Sequence, residues 1–573
     1  MRKSGKGLKN QFDVIVVGAG FGGPVAAKKC ANAGLKVLMI ERSKNVGEKV
    51  ISGLTIPFQG FLFGPAFIRD GNPPIERPAC GIINYIIKDI KTGDIDIDDS
   101  LMIPKPLSPV IAFGYNTYCK PFIEWEVKKA VEAGVILRTS TTVVDVIKEE
   151  GCIRGVVTDK GERLRSKIVI DAEGSQGLLA IKAGIREKYP PETISLADIY
   201  DYEMKKKDVD RFFGNAVKMC WGWDEQDIAP PLGYGNGLMV WPYRRSLHFM
   251  QDQCLRMDNK SVPNLKKKFD EYHKNITTCL QWWKDDVAPR IKLRAHMWQG
   301  FEIYVGLNKH VRNMPNHTDG MILIGDAAGL ESTELCDGVP SAWFSAEIAA
   351  DIAIESIRNN DSSKSFLIKY DEKIKAHPII QWSISGTNRY NLRKAQEEHN
   401  ESKLKKCIHD GWGLGSLTHF TTPFLKMMLL QLKEDYTVVR KWIKMFFRYY
   451  QNWLYESYDY TEKKKHRIES LKRPRLKELI FRISLNLVDS LLKISSRIGR
   501  KRSNLLLRLA EGANPLMRKY LPKIESVNLT LTKLLEPLNE RLSKKIINFV
   551  FRADPSIFKE NMLESKVRYD EDF

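Results

Sequence analysis

The chain has 573 residues, enough for several buried cores, so roughly two to four domains are expected. With 43% hydrophobic and 10% aromatic residues it reads as a globular protein, and no stretch approaches the ~18 uncharged apolar residues of a transmembrane helix. The formal charge is +20; about +15 of it falls in residues 401–573, which marks that segment off from a more nearly neutral remainder. The first ten residues, MRKSGKGLKN, are basic but lack the apolar core of a signal peptide. The nine cysteines are isolated and form no CxxC. That leaves no locally written zinc site or iron–sulfur cluster, so no metal is expected, and it suits a reducing cytoplasm.

In chain order, the first informative stretch is Asp13 to Arg42. Val14 to Val17 form a short β-branched run, as in a buried parallel strand. It leads into Gly18-Ala19-Gly20-Phe21-Gly22-Gly23, which fits GxGxxG. An Ala-rich amphipathic segment follows, then Gly34, then Val37 to Ile40 ending in Glu41. Strand, glycine turn, helix, strand and acid make one βαβ unit with a dinucleotide fingerprint in its proper context. Gly18 permits the sharp turn, Gly20 lets a pyrophosphate approach the backbone, and Gly23 lets helix pack on strand. The helix N-terminus faces the phosphates, and Glu41 accepts hydrogen bonds from a ribose. A glycine-rich turn without a ligand is the bland alternative, and the fingerprint alone does not separate FAD from NAD.

Residues 54–110 read as loops and short strands, with a β excursion at Ile82–Lys88 and Asp94–Leu101. Tyr115 to Phe122 leads into a helix over Ile123–Ala133, with Pro121 in its first turn. Val135–Leu137, Thr142–Lys148, Gly151–Asp159 and Glu162–Arg165 read as strands. Lys167 to Ser175 is the second informative stretch: a buried strand delivers Asp171 and Gly174 to a loop before a helix. The third is Met321 to Gly329, a strand ending in Gly325-Asp326, followed by a long helix over Val339–Ile357 whose N-terminal end lies at Gly338. Each Asp alone could be a turn former; three such motifs in order point to one dinucleotide site.

Between these, residues 186–318 alternate strands with the tryptophans Trp221, Trp223, Trp241, Trp282, Trp283 and Trp298, which read first as core. His248, His296, His310 and His317 are candidate proton donors, or else structural. From about Thr421 the chain changes character. Trp442, Met445, Phe446, Tyr449, Tyr450 and Trp453 recur at helical spacing with Lys441, Lys444 and Arg448 off the stripe. Leu476–Leu492 and Leu505–Leu509 surround Arg497 to Arg502, and a third amphipathic segment spans Leu531 to Phe551. Basic aromatic helices of this kind lie in a membrane interface or pack as a bundle on the enzyme. Nothing interleaves as a nucleic-acid-binding module, so no nucleic acid is expected.

The three stretches resemble FAD-containing oxidoreductases of the glutathione-reductase/hydroxylase type. The fold class this implies is α/β. A Rossmann-like FAD-binding domain (10–56, 135–185 and 319–360) carries an inserted antiparallel β-sheet substrate domain (57–134 and 186–318). A helical connection (361–420) and a helical C-terminal extension (421–573) complete it. Within that type the chain is most similar to the electron-transfer-flavoprotein:quinone oxidoreductase (FixC-like) and geranylgeranyl reductase family. The match lies in Gly47-x-Lys49-x-x-Ser52-Gly53, in Tyr115 to Trp125, and more loosely in Gly233-Tyr234 and Val240-Trp241-Pro242. It covers about residues 10–400.

The resemblance implies FAD, held by Gly18, Gly20, Gly22, Gly23, Glu41, Arg42, Lys49, Ser52, Gly53, Lys120, Asp171, Gly174, Gly325, Asp326 and Gly338. Asp326 would meet the ribityl chain. Lys120 stands where the family usually has Arg. Ser175 to Lys182 (SQGLLAIK) lacks the Arg with which aromatic hydroxylases handle NADPH. The last cysteine is Cys407, so a cluster would have to sit on a partner. The implied activity is transfer of electrons from an electron-transfer flavoprotein or ferredoxin-like protein to a quinone, at the inner face of the cell membrane through 421–573. Reduction of isoprenoid lipid double bonds is the rival, and a flavin-binding scaffold the non-enzyme alternative.

Overall fold

The computed structural model describes residues 11–48, 53–89, 94–97, 101–102, 112–187, 194–221, 237–254, 280–302, 314–331, 338–385 and 388–412, with scattered positions between 267 and 278 and between 423 and 449. Lys49, Ser52, Trp223, Gly233, Tyr234, His310 and everything read beyond 450 lie outside the described residues.

The first sheet is built on β1 (Gln11–Val17), whose Val14, Ile15 and Val16 are wholly buried. On one side β1 pairs in parallel with β2 (Val37–Ile40), and β2 with β9 (Ile136–Arg138). On the other it pairs in parallel with β12 (Arg163–Asp171), which pairs with β19 (Met321–Leu323). Parallel neighbours need crossovers. Helix α1 (Gly22–Asn32) supplies the one from β1 to β2. Two antiparallel strands, β10 (Val143–Glu149) and β11 (Cys152–Thr158), continue from β12, and β18 (His317–Thr318) edges β19.

Strand β12 corrects the reading of Glu162–Arg165 as a strand of its own. Arg163 to Lys167 alternate exposed and buried, as a half-solvated strand does, and Ile168 to Asp171 are buried without a break. The first half pairs with β11 and the second with β19, so one nine-residue strand serves both arrangements.

The second sheet has the order β17-β13-β16-β15-β14-β5-β6, with β7 also on β5. Its strands are β5 (Gly81–Asp89), β6 (Asp94–Ile97), β7 (Leu101–Met102), β13 (Ile194–Met204), β14 (Ala216–Trp221), β15 (Gly237–Pro242), β16 (Ser246–Cys254) and β17 (Ile291–Glu302). All neighbours are antiparallel except β14 and β5, which come from distant parts of the chain and run parallel. One face packs Tyr200, Tyr202, Phe249 and Trp283. The other packs Trp221, Trp241 and Tyr243 with Leu392, Leu404 and Ile408 of the helices Asn388–Glu397 and Glu401–Trp412. Trp221, Trp241 and Trp283 are thus buried core residues.

A third sheet, β3 (Gly53–Pro57), β8 (Gly114–Tyr118) and β4 (Arg77–Ala79), joins the other two. It is fastened to the turn after β15: buried Arg77 donates from Nε to the Tyr243 carbonyl (3.0 Å), and Asn116 from Nδ2 to that of Pro242 (2.8 Å). Helix α4 (Cys119–Glu132) then lies against α1, on the nucleotide-type sheet.

Part of the extension is built into this core. Trp442, Met445 and Tyr449 are buried. Trp442 Nε1 donates to the Leu62 carbonyl (3.0 Å), and the Tyr449 hydroxyl to that of Ile68 (2.6 Å). The Tyr449 ring meets Phe61 and Tyr115 edge-on, and Trp442 meets Phe63. These three residues of the stripe therefore face the protein's interior, which removes them from any membrane-facing surface.

Candidate functional site

In an open parallel sheet, ligands bind beyond the carboxyl ends of the strands. Here four such ends, of β2, β1, β12 and β19, stand side by side and their loops are stitched together. The Gly18 amide donates to the Ile40 carbonyl (2.8 Å), Ala172 to Val17 (2.8 Å) and Ile324 to Asp171 (2.9 Å). Gly18, Glu41, Asp171 and Gly325 are thereby brought to one edge, although 307 positions separate the first from the last.

The glycines of the first turn differ in what they permit. Gly18 has φ +105° and a Cβ there would overlap the Ala172 carbonyl, so both conformation and space demand glycine. A Cβ on Gly23 would overlap the Gly18 carbonyl, which is the close approach of helix to strand. At Gly22 it would lie 3.1 Å from Ile324 Cδ1 and 3.3 Å from the Ala342 carbonyl, so this residue sets how near the helix Val339–Arg358 comes. At Gly20 nothing lies within 4 Å, which leaves open space beside the backbone. Helix α1 starts with no side-chain cap and no acidic residue in its first turn, so its N–H groups and positive dipole end are left to an anion.

Glu41 stands at the end of β2. Its Oε2 accepts from the Ala19 amide (3.1 Å) and its Oε1 from that of Ser43 (2.9 Å), which holds the carboxylate over the glycine turn with lone pairs to spare. The charge of Arg42 reaches Glu173 and partly offsets the burial that raises the Glu173 carboxyl. Glu173 accepts from the Leu179 amide (2.8 Å) at the start of α5 (Leu178–Ala183). Asp171 is fully buried: Oδ1 accepts from the Glu173 amide (3.0 Å), Oδ2 has no partner, and burial reinforced by the Glu173 charge holds its pKa well above the usual carboxylate range.

Gly325 has φ +58° and its amide donates to Ser345 Oγ (3.0 Å). Burial pushes the Asp326 carboxyl up to about 6. A Cβ on Gly338 would stand 3.0 Å from Asp326 Oδ1, so the helix start and this carboxyl are neighbours. The helix Val339–Arg358 again has no side-chain cap and no acid in its first turn. Gly47 lies against Lys120, whose Cα would be 3.1 Å from a Cβ there, so Lys120 flanks the loop after β2. Arg186, just beyond the stretch that lacks an Arg, is buried and donates to Asn316 and, at 3.0 Å, to the Ala328 carbonyl.

Two of the candidate proton donors are otherwise employed. His317 Nδ1 is bonded to Asp371 Oδ2 (2.8 Å), and His296 Nε2 to Asp198 Oδ1 (2.5 Å). His248 is wholly buried, and its Nε2 accepts from the Gly53 amide (3.1 Å). Around it stand residues that sequence reading missed. Asp201 Oδ1 is 3.9 Å from His248 Nδ1 and accepts from the Tyr118 hydroxyl (2.8 Å), while Arg294 Nε donates to Asp201 Oδ2 (2.6 Å). Burial raises the Asp201 carboxyl, but the nearness of the His248 imidazole, the Arg294 charge and the Tyr118 hydroxyl outweigh it and hold the group below its ordinary value. Tyr243 stacks on Tyr118 at 4.4 Å. These residues come from four strands and the turn after β15. The alternation of β13 and β16 placed Asp201 and His248 on one face, but nothing local to the sequence paired them.

A parallel sheet with a glycine turn, an acid after the second strand and a Gly-Asp turn after the last defines a dinucleotide-binding oxidoreductase fold. Residues 13–319 match the family described as FAD dependent oxidoreductase, and the chain belongs to that family. Digeranylgeranylglycerophospholipid reductase of Methanosphaerula palustris is 24% identical over 424 residues, covering 70% of this chain and 90% of that protein. Protein FixC of Salmonella typhi is 27% identical over 386 residues, covering 64% and 82%. Among solved structures, a geranylgeranyl bacteriochlorophyll reductase-like protein from Thermoplasma acidophilum shares the fold with a TM-score of 0.52 and 20% identity, over 70% of this chain and 97% of that one. The cofactor is FAD, and the residues present fit it: space at Gly20, uncapped helix N-termini, and an orphaned buried oxygen on Asp171.

Proposed function

We propose that this protein passes electrons from an electron-transfer flavoprotein or ferredoxin-like partner to a membrane quinone. The reading starts from the α5 side of the site. No arginine stands in Ser175 to Lys182, and Arg186, the first to follow, is turned inward onto Asn316 and Ala328. That stretch offers no guanidinium of its own to a nicotinamide nucleotide phosphate, which favours a protein donor. Among the described residues the free cysteines Cys30, Cys80, Cys119, Cys152, Cys220 and Cys407 are scattered, in keeping with a cluster carried by that donor.

FAD supplies the redox chemistry when bound. The chain's residues hold and orient it: Gly20 admits the pyrophosphate to the start of α1, Gly18, Gly22 and Gly23 set the turn and the packing around it, and Glu41 takes the ribose hydroxyls. Asp171 and Gly174 flank the phosphates, Arg42 and Lys120 supply cations beside the loop after β2, and Gly325, Asp326 and Gly338 meet the ribityl side. Lys49, Ser52 and Gly53 belong to the same loop by resemblance.

The similarity to digeranylgeranylglycerophospholipid reductase favours a second reading, saturation of isoprenoid double bonds. Anaerobic stopped-flow reoxidation of the dithionite-reduced protein separates the two. Fast reoxidation by a short-chain quinone alone supports the relay. Reoxidation by a geranylgeranyl lipid with a saturated product supports the reductase.

A further inference from the structure

Gly53 opens β3, directly after the loop that the proposed function places at the flavin. The second sheet grips it from two sides. A Cβ on Gly53 would overlap the Tyr243 hydroxyl, so the backbone lies flat against that ring. Its amide is held by His248 Nε2 at 3.1 Å, with the histidine wholly buried. An imidazole nitrogen that accepts a backbone N–H carries no proton, so the proton is on Nδ1, the side facing Asp201. Asp201 is itself fixed by Arg294 and Tyr118, and Ser246 Oγ lies 2.6 Å from the Tyr118 hydroxyl. Arg77 and Asn116 hold the carbonyls of the neighbouring turn. Asp201, Arg294, Tyr118 and Tyr243 are the titratable groups around His248; Nδ1 stays 3.9 Å from Asp201 Oδ1 with no hydrogen-bond partner, so the Gly53 amide is what selects the tautomer and holds the ring.

We propose that His248 is a positioning residue for the flavin site. Through the Gly53 amide it fixes where the loop after β2 ends, and the second sheet thereby sets the cofactor's surroundings without touching it. Burying a histidine, a carboxylate and two stacked tyrosines at one glycine is costly, and with Nδ1 unpartnered the bond to the Gly53 amide is the one that offsets the burial of the ring. The Gly53 amide is held only when Nε2 accepts, so an acceptor at that reach is the requirement. The inference rests on the reading that this loop meets the cofactor.

The test uses full-length protein with FAD. In His248→Gln the amide oxygen reaches the Gly53 N–H; in His248→Asn it falls one methylene short; His248→Leu offers no acceptor. We expect hydrogen–deuterium exchange of the peptide spanning 41–57 to be ten-fold or more faster in the Asn and Leu variants, with other sheet peptides unchanged. The FAD dissociation constant should rise about ten-fold with an altered visible circular dichroism of the flavin, while Gln stays within about two-fold of wild type. Three variants behaving alike, whether all normal or all impaired, would overturn the proposal. If Leu does not fold, Gln against Asn carries the same comparison. Wild-type exchange with and without FAD tests the underlying reading separately. If FAD leaves the 41–57 peptide unprotected, the loop does not meet the cofactor, whatever the variants do.

Discussion

Two glycines three positions apart carry opposite expectations. Gly20 has nothing within 4 Å of where a side chain would begin, so Gly20→Val should leave the apoprotein as stable as wild type and still abolish FAD binding. Gly23 abuts the Gly18 carbonyl, so Gly23→Ala should lower the apoprotein's stability by about 1–3 kcal/mol as well. Thermal melts of FAD-free protein, beside the flavin-to-protein absorbance ratio, distinguish the two, and a yellow stoichiometric Gly20→Val protein would contradict the assignment of the first turn. Asp326 gives a pH dependence. The folded apoprotein keeps its proton to about pH 6, whereas an unfolded carboxyl releases it near 3.8. The contribution is complete below 3.8 and is lost as pH rises through 6. A shift of that size is worth up to about 3 kcal/mol. Asp326→Asn should flatten that part of the urea-midpoint curve between pH 4 and 7.

At the scale of elements, the βαβ unit, the strand before Asp171 and the strand before Gly325 were legible because each signal is local: a β-branched run, then glycine or Asp. β12 was cut in two because its pattern changes midway from alternating to continuous, which is what a strand shared by antiparallel and parallel neighbours must show. The second sheet's parallel pair, β5 with β14, and the cluster around His248 were not legible, since each depends on contacts between segments far apart in the chain, 195 positions for Gly53 and His248. The aromatic stripe after Val439 was legible as a helix face, but periodicity does not say what a face meets. It meets Phe61, Phe63 and Tyr115, where Trp442 both fills space and caps the Leu62 carbonyl. Trp442→Ala should therefore cost about 3–5 kcal/mol, and Tyr449→Phe about 1–2 kcal/mol for an unpaired Ile68 carbonyl. A face meant for lipid would give changes near zero in the absence of membranes, so urea denaturation in plain buffer decides the matter.

For the whole molecule, the question is what the remaining positive charge does. About +10 of the +20 lies in residues 451–573, beyond the part of the extension that packs inward. No helix among the described residues is long and apolar enough to cross a membrane. The hydrophobic acceptor proposed for this protein would have to be met in the membrane, and a basic segment near an anionic surface gains ~1 kcal/mol per charge within a Debye length. Four of those charges stand together at Arg497, Arg500, Lys501 and Arg502. Replacing all four by Gln in the full-length protein should remove up to ~4 kcal/mol of surface attraction, about a thousand-fold in vesicle affinity. Co-sedimentation with phosphatidylglycerol vesicles at low salt measures it. Binding of the wild type should also fade as salt approaches ~0.5 M, because screening shortens the reach of every charge. The flavin content of the variant should not change, since these residues lie outside the family match of 13–319. If the variant sediments like wild type, the basic extension does not serve as the membrane contact, and its charge is to be matched to an acidic protein partner such as the electron donor.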